Sequence, residues 1–143
     1  MKYKPLDPEI FKAIYSKVPR LCVDLIIKDG RKVLLTKRII SSYKGYWHLP
    51  GGTVLFREGL EEAVKRVAKR ELNLDVRIEK FLGFIEFTGK SNGNYHPVSI
   101  VFLVSPKSLN IKLNKEADEY NFFESPPEKT ISEQEEFLNK LID

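Results

Sequence analysis

Two adjacent glycines stand just before a charged helical segment in LPGGTVLFREGLEEAVKRVAKRELNL, which runs from Leu49 to Leu74. Gly51 and Gly52 lack a Cβ, so the backbone can approach another group closely here. A backbone carbonyl on such a loop can coordinate a hard cation such as Mg²⁺, and a nearby helix start favours anions. A tight turn alone would explain the glycines equally well.

The charged segment that follows contains one carboxylate that ion pairs do not explain. Four side chains recur at every fourth position and can pair with one another along the helix: Glu58, Glu62, Arg66 and Arg70. Glu71 instead lies one turn beyond Val67, at the edge of the predicted buried side, where an unpaired carboxylate is costly. Glu71 therefore requires a cation, which is either a Lys or Arg side chain or Mg²⁺.

Hydrophobic periodicity predicts the elements that position these residues. Asp7-Pro8 is a typical helix start, and apolar spacing predicts an N-terminal helix at about 7–17. RLCVDLIIK and KVLLTKR predict antiparallel strands joined at Asp29-Gly30, and the segment from Leu60 to Leu72 predicts an amphipathic helix. A long hairpin is predicted by the segments DVRIEKFLGFIEF and HPVSIVFLVS. A strand is predicted by EADEYNFFE, and a last helix is predicted by SEQEEFLNKLI. We expect one α/β (α+β) domain over residues 1–143, a mixed sheet between helices.

Composition narrows the class of protein. The 24 Lys and Arg exceed the 20 Asp and Glu, for a net charge of +4, with a basic body and an acidic tail. Basic surfaces attract nucleotides and other phosphates, although a Lys-rich surface that serves solubility is the simpler interpretation. Cys22 is the single cysteine, so we expect a buried thiol and no disulfide within the chain. Without a long apolar stretch or signal core, we expect a cytoplasmic protein that does not bind membranes.

The central stretch resembles the signature of the Nudix hydrolases, and the preceding GYWHLPGG strengthens the resemblance. The matching positions are Gly52, Glu58, Arg66 and Glu71. The resemblance extends over nearly the whole chain and implies the Nudix α/β/α sandwich. Val67, Arg70 and Asn73 depart from the signature, where the family has Glu, Glu and Gly. Asn is the next best residue after Gly at a left-handed helix end, so the two lost carboxylates are the substantial departure.

Within this family the chain is similar to the GDP-mannose mannosyl hydrolases, whose signature lacks the same two glutamates. The similarity includes FKAIYSKVPRLCVDLII, KVLLTKR and ADEYNFF. Most Nudix enzymes direct water at phosphorus, whereas this branch substitutes at the sugar C1 and releases GDP. A diphosphate leaving group needs one Mg²⁺ and a cationic side chain rather than many carboxylates. The resemblance implies a homodimeric, Mg²⁺-dependent hydrolase of a nucleotide sugar such as GDP-mannose.

The resemblance also implies roles for individual residues. The metal ligands would be the Gly51 carbonyl, Glu71 and Glu116, where Glu116 replaces an amide of the relatives. Arg38 would stabilise the departing diphosphate, since its planar fork suits phosphate, although a strand-end surface charge is the alternative. Glu71 and Arg38 would thus be the catalytic pair. The residues that support the motif would be Gly52, Glu58 and Arg66, the last two as an ion pair that orients the loop.

Asp24 and His96 complete the substrate-binding candidates, together with Arg38. The aspartate that matches Asp24 lies near the substrate across a dimer interface in the relatives, while a structural hydrogen bond is the alternative. A lone His such as His96 is more often structural than catalytic. Three aromatic residues could stack on a base or sugar, but aromatic residues in short strands more often belong to the core: Tyr46, Trp47 and Phe84.

The general base is the open position in this assignment. In the mannosyl hydrolases a His deprotonates water, and the aligned residue here is Ala117, which transfers no proton. The possible replacements are His96, Glu86, Glu116, Asp118 and Glu119. Three functions stay open: a sugar-releasing hydrolase, a pyrophosphohydrolase that attacks phosphorus, and a non-catalytic nucleotide or RNA-binding module. Since the aromatic residues form no RNA-binding motif, we expect a small nucleotide substrate rather than nucleic acid.

Overall fold

The structure, a computed structural model, describes residues 2–40 and 43–142. Its helices are α1 (Pro8–Tyr15), α2 (Leu60–Leu72) and α3 (Ser132–Ile142), with a short 3₁₀ turn at Lys90–Asn92. Its strands are β1 (Arg20–Asp29), β2 (Lys32–Arg38), β3 (Trp47–His48), β4 (Gly51–Thr53), β5 (Val76–Glu86), β6 (Pro97–Pro106) and β7 (Ala117–Phe123). None of the helices within these residues is long and apolar enough to cross a membrane.

The strands form a mixed sheet in the order β3-β2-β1-β6-β5, with β4 paired to β1 and β7 paired to β2. Residues 20–27 of β1 run parallel to residues 97–104 of β6. On its other edge, β1 pairs with β4 at residues 22–24 and with β2 only at residues 28–29. The sheet therefore forks along β1, where the neighbouring strand changes from β4 to β2.

Helices cover both faces of this sheet. Val23, Leu25 and Ile27 alternate along β1 toward the cluster that includes the buried face of α2. Ile26 belongs to the opposite cluster, to which α3 contributes Leu138. The predicted mixed sheet between helices is confirmed, because two separate apolar clusters require a helix on each side.

The two predicted hairpins are present, with one difference. The β1–β2 turn uses Gly30 at φ 63°, and β5 pairs antiparallel with β6 through two irregularities. The main partner of β1 is nevertheless β6, in a parallel pairing that local sequence does not indicate. The helix α1 lies within the predicted range of about 7–17, and none of its residues is buried.

Candidate functional site

A cavity of about 190 Å³ opens beside the fork in the sheet. Six of the residues implied by the resemblance line it: Asp24, Arg38, Gly51, Gly52, Glu71 and Glu116. They come from β1, β2, β4, α2 and the loop before β7, so the fold brings together positions that are distant in the chain.

Gly51 lies directly opposite Asp24 between β4 and β1. The Leu25 N–H donates to the Pro50 carbonyl at 2.9 Å, so the neighbouring Asp24–Gly51 pair is a non-hydrogen-bonded pair of the ladder. The Gly51 carbonyl therefore points away from β1. A Cβ at Gly51 would overlap Asp24 Oδ1 and lie 2.6 Å from the Val23 carbonyl oxygen, so this position requires glycine.

Glu71 lies in the last turn of α2 and is 8% exposed. Its Oε1 is 3.4 Å from the Gly51 backbone nitrogen, which places the carboxylate against the glycine loop. Burial, and to a smaller extent the nearby Glu116, raise the pKa of Glu71 to about 8, while Arg70 opposes the rise. A cation at this position would offset both unfavourable contributions.

The three departures from the signature have structural explanations. Val67 is fully buried, and its Cγ2 would lie 3.1 Å from a Cβ at Gly52, so an apolar side chain packs against the loop. Arg70 Nη2 donates to Glu116 Oε1 at 2.6 Å, in a partly exposed ion pair. Asn73 ends α2 in the left-handed conformation, at φ 55°.

Arg38 is the last residue of β2 and lines the cavity. The β2–β7 register shifts between Lys37 and Arg38, an irregularity that can redirect a side chain. Burial lowers the pKa of Arg38, while Glu116 and Glu71 raise it. The guanidinium therefore shares its surroundings with both carboxylates implied as metal ligands.

Glu58 and Arg66 form the expected ion pair. Arg66 Nε lies 2.7 Å from Glu58 Oε2, and the Glu58 side chain is 1% exposed. Arg66 also donates to the Thr53 carbonyl at 2.7 Å, while Glu58 Oε1 accepts from the Leu55 N–H at 3.0 Å. This pair connects α2 to the glycine loop, as a supporting role requires.

Asp24 is held by a residue that the sequence did not single out. Gln134 of α3 donates from Nε2 to Asp24 Oδ2 at 3.1 Å and accepts at Oε1 from the Leu49 N–H at 2.9 Å. Burial raises the pKa of Asp24 to about 7, even though the hydrogen bonds with Gln134 and Ser99 oppose the rise. The structural hydrogen bond considered for Asp24 is therefore present, and Asp24 also lines the cavity.

The candidate bases are mostly remote from the cavity. Only Glu116 among them lines it, while Glu86, Asp118 and Glu119 are exposed on strands. Tyr95 and Pro97 line the cavity but His96 between them does not, and its buried Nε2 has no hydrogen-bond partner among the described residues. A substrate-binding role for His96 stays a prediction without a cavity contact to support it.

His48 is the imidazole that does line the cavity, and it is poorly suited to accept a proton. Its Nδ1 donates to the Leu49 carbonyl at 2.7 Å, which leaves Nε2 to accept from the Thr36 hydroxyl at 3.1 Å. Burial and the charge of Arg38 together lower the pKa of His48 to about 4. The ring is therefore neutral, with both nitrogens engaged.

The donor set fits a hard divalent cation held mainly by water and substrate. Among the described residues, no three or more His, Cys, Asp or Glu side chains are grouped closely enough to hold a metal ion. The possible ligands are the carboxylates of Glu71 and Glu116 and the Gly51 carbonyl. Mg²⁺ commonly binds through one or two carboxylates together with water and substrate phosphate, so the reduced set is compatible with it.

The sequence reasoning missed several residues of the cavity wall. One of them is Arg20, which alternates with Cys22 and Asp24 along one face of β1, in a polar row that strand periodicity could have revealed. Cys22 is buried as expected, and burial raises the pKa of its thiol to about 11. Tyr46 and Trp47 pack against the core, and Phe84 is exposed; none of the three lines the cavity.

The sequence is similar to those of known proteins. A family model described as "NUDIX domain" matches residues 18–140. The chain is 35% identical over 136 residues to "Low-salt glycan biosynthesis protein Agl8" of Haloferax volcanii, which covers 92% of this chain and 87% of that protein. It is 36% identical over 106 residues to an "ADP-ribose pyrophosphatase" of Methanocaldococcus jannaschii, which covers 74% and 62%, respectively.

The fold is also similar to solved structures. The crystal structure of a MutT protein from Methanosarcina mazei Go1 matches with a TM-score of 0.75 at 23% identity. The match covers 85% of this chain and 91% of that protein. At 23% identity, this similarity shows a shared fold and no more.

Proposed function

Because the chain belongs to the Nudix hydrolase family, we propose that it is a Mg²⁺-dependent hydrolase of a nucleoside diphosphate derivative, with a nucleotide sugar as the leading substrate. The observation that carries the proposal is the convergence of Gly51, Glu71, Glu116 and Arg38 on one cavity. The glycan-biosynthesis relative supports a sugar-containing substrate, with GDP-mannose as the first candidate.

In this proposal, protein groups bind and orient the substrate. The Gly51 carbonyl and the carboxylates of Glu71 and Glu116 would hold Mg²⁺, which neutralises charge on the diphosphate when bound. Arg38 would pair with the diphosphate oxygens as the bond to the leaving group breaks. The Glu58–Arg66 pair would keep the glycine loop in place against α2.

The attacking water needs a proton acceptor. Of the possible bases named from the sequence, Glu116 is the one that lines the cavity. Its Oε1 accepts a hydrogen bond from Arg70 Nη2 at 2.6 Å. Glu116→Gln keeps an oxygen that can bind Mg²⁺, as the amide of the relatives does, but it cannot accept a proton, so turnover at different Mg²⁺ concentrations separates the two roles. Recovery at high Mg²⁺ would indicate a ligand, and a persistent loss would indicate a base.

Product analysis in ¹⁸O-labelled water tests the reaction. GDP-mannose, other nucleotide sugars and ADP-ribose would each be incubated with the protein and Mg²⁺. Label in the released sugar would mean attack at carbon, as in the leading proposal. Label in phosphate would mean attack at phosphorus, the second candidate, which the ADP-ribose pyrophosphatase relative favours. Tight Mg²⁺-dependent binding without turnover would contradict a hydrolase and favour a nucleotide sensor.

A homodimer is also part of the proposal. Leu6, Ile14, Leu21 and Phe56 are exposed apolar side chains that line a separate groove of about 590 Å³. Apolar patches of this kind often mark protein interfaces, which supports association of two copies. Sedimentation analysis of the wild type and of Phe56→Asp would test this, and a monomeric wild type would contradict it. The cytoplasmic location stays a prediction.

A further inference from the structure

Arg20 is a cavity residue to which the proposed reaction gives no role. It begins β1, and its side chain is half-buried at one end of the row formed with Cys22 and Asp24. The backbone of Arg20 lies four positions before Asp24 in an extended strand, a distance of about 13 Å. Its guanidinium lies beside Cys22, Thr53 and Tyr95, near enough to Asp24 to lower the pKa of that carboxyl.

The Arg20 guanidinium is held in place by neutral neighbours. Nη1 donates to Thr53 Oγ1 at 2.7 Å and lies 3.3 Å from Cys22 Sγ. The guanidinium carbon is 5.2 Å from the ring centroid of Phe11 and 6.0 Å from that of Tyr95. These contacts orient the planar group without an ion pair, and Phe11 connects α1 to Arg20.

Among the described residues, Arg20 has no carboxylate at ion-pair distance and one donor without an acceptor, although Asp24 is near enough for Arg20 to lower its pKa. Within residues 2–40 and 43–142, Arg20 forms no ion pair with a carboxylate. Its Nε is buried and has no hydrogen-bond acceptor in the same part of the chain. Leaving a charged group without full hydrogen bonding is costly, and Arg20 lines the cavity, so an anion bound there would stabilise the guanidinium.

We propose that Arg20 is a second anion-binding subsite, which holds an oxyanion of the substrate away from the metal ligands. The planar fork of arginine matches a phosphoryl group or a carboxylate, the two oxyanions that a nucleotide sugar can carry. The inference rests on the proposed function, because the oxyanion is taken to belong to the same substrate. Arg38 and Arg20 then contact different parts of one ligand.

Calorimetric titration of the full chain tests the subsite with three probes: inorganic pyrophosphate, UDP-glucose and UDP-glucuronate. If a phosphoryl group binds, Arg20→Met weakens pyrophosphate and both nucleotides by about 10- to 100-fold. If a carboxylate binds, the same variant weakens only UDP-glucuronate. Arg31→Met removes the same charge from the exposed β1–β2 turn and is expected to leave all affinities unchanged.

Two further measurements cover the case in which Arg20→Met does not fold. Thr53→Val keeps the arginine but removes the hydroxyl that orients it, and it should weaken the same probe several-fold. In the wild type, the probe should also shift the Arg20 Nε–H resonance, which is identified by its absence from the Arg20→Lys spectrum.

The outcomes separate this inference from the proposed reaction. Wild-type affinities in Arg20→Met and Thr53→Val, or no binding of any probe to the wild type, would overturn the subsite. Arg20-dependent binding without turnover of any nucleotide derivative would overturn the hydrolase and leave the subsite standing.

Discussion

At the scale of single residues, the lost signature carboxylates are replaced by a different local arrangement. Val67 packs against Gly52, and Arg70 neutralises part of the charge of Glu116, which enters the cavity from a distant loop. Glu116 remains close enough to Glu71 to raise the pKa of Glu71. The site is therefore a reduced one in which Glu71 has the most buried carboxylate of the possible metal ligands.

Glu71→Gln should abolish Mg²⁺-dependent turnover, lowering kcat/KM by about 100-fold or more, because the neutral amide lacks the charge of the buried carboxylate ligand. The free energy of unfolding without metal should not fall, since a neutral amide replaces a carboxyl whose ionisation is unfavourable in the folded state. Steady-state assays over a range of Mg²⁺ concentrations, with thermal unfolding, measure both. Glu61→Gln, on the exposed side of α2, is the matched control, and near-normal activity of Glu71→Gln would exclude the metal assignment.

The two adjacent glycines should differ sharply in their tolerance of a methyl group. Gly51→Ala forces the backbone of β1 to move, because its Cβ would lie 2.6 Å from the Val23 carbonyl oxygen. Gly52→Ala meets only Val67 Cγ2, at 3.1 Å, which a small side-chain shift can relieve. Thermal unfolding should therefore show a large loss for Gly51→Ala and a loss of about 1 kcal/mol for Gly52→Ala. Equal losses would contradict this geometry.

At the scale of elements, α2 holds the glycine loop through a buried ion pair. Removing one partner leaves an uncompensated charge, so Glu58→Gln or Arg66→Met should each destabilise the protein by about 3 kcal/mol. The double variant should lose less than the sum of the two, because no unpaired charge remains. Denaturant unfolding of the four proteins measures the coupling. Additive losses would mean that the pair does not connect the loop to α2 energetically.

At the scale of the whole molecule, two buried carboxylates make the metal-free protein sensitive to pH. The pKa of Asp24 rises from 3.8 to about 7 and that of Glu71 from 4.5 to about 8 on folding. The folded state therefore holds more protons than the unfolded state between about pH 4 and 8, and stability falls as pH rises through this window. Below it, the contribution of these groups to stability is fully present.

Thermal unfolding in EDTA should accordingly show a melting temperature that falls from pH 5 to pH 8. The free energy of unfolding should fall by roughly 1–3 kcal/mol per pH unit where one or both groups titrate. Mg²⁺ should raise the melting temperature more at pH 8 than at pH 6, since ligand carboxylates must be ionised. Asp24→Asn combined with Glu71→Gln should flatten the profile. A profile that stays equally steep in the double variant would assign the slope to other groups.

The amino-acid sequence determined the features that depend on residues close together in the chain. The periodicity of α2, the Asp29-Gly30 turn and the spacing of Gly52, Glu58, Arg66 and Glu71 are local patterns, and each is present in the structure. The supporting ion pair was implied by the family resemblance that this spacing carries, and it joins α2 to the loop before it.

Only the tertiary structure decided which distant residues meet. The parallel pairing of β1 with β6, the hydrogen bond from Gln134 to Asp24 and the ion pair between Arg70 and Glu116 all join residues far apart in the chain. Local periodicity contains no information about such partners, because burial between packed sheets and helices selects them. The same packing placed Arg20 beside Phe11 and Tyr95 at the cavity, where an isolated strand-start arginine had no apparent role.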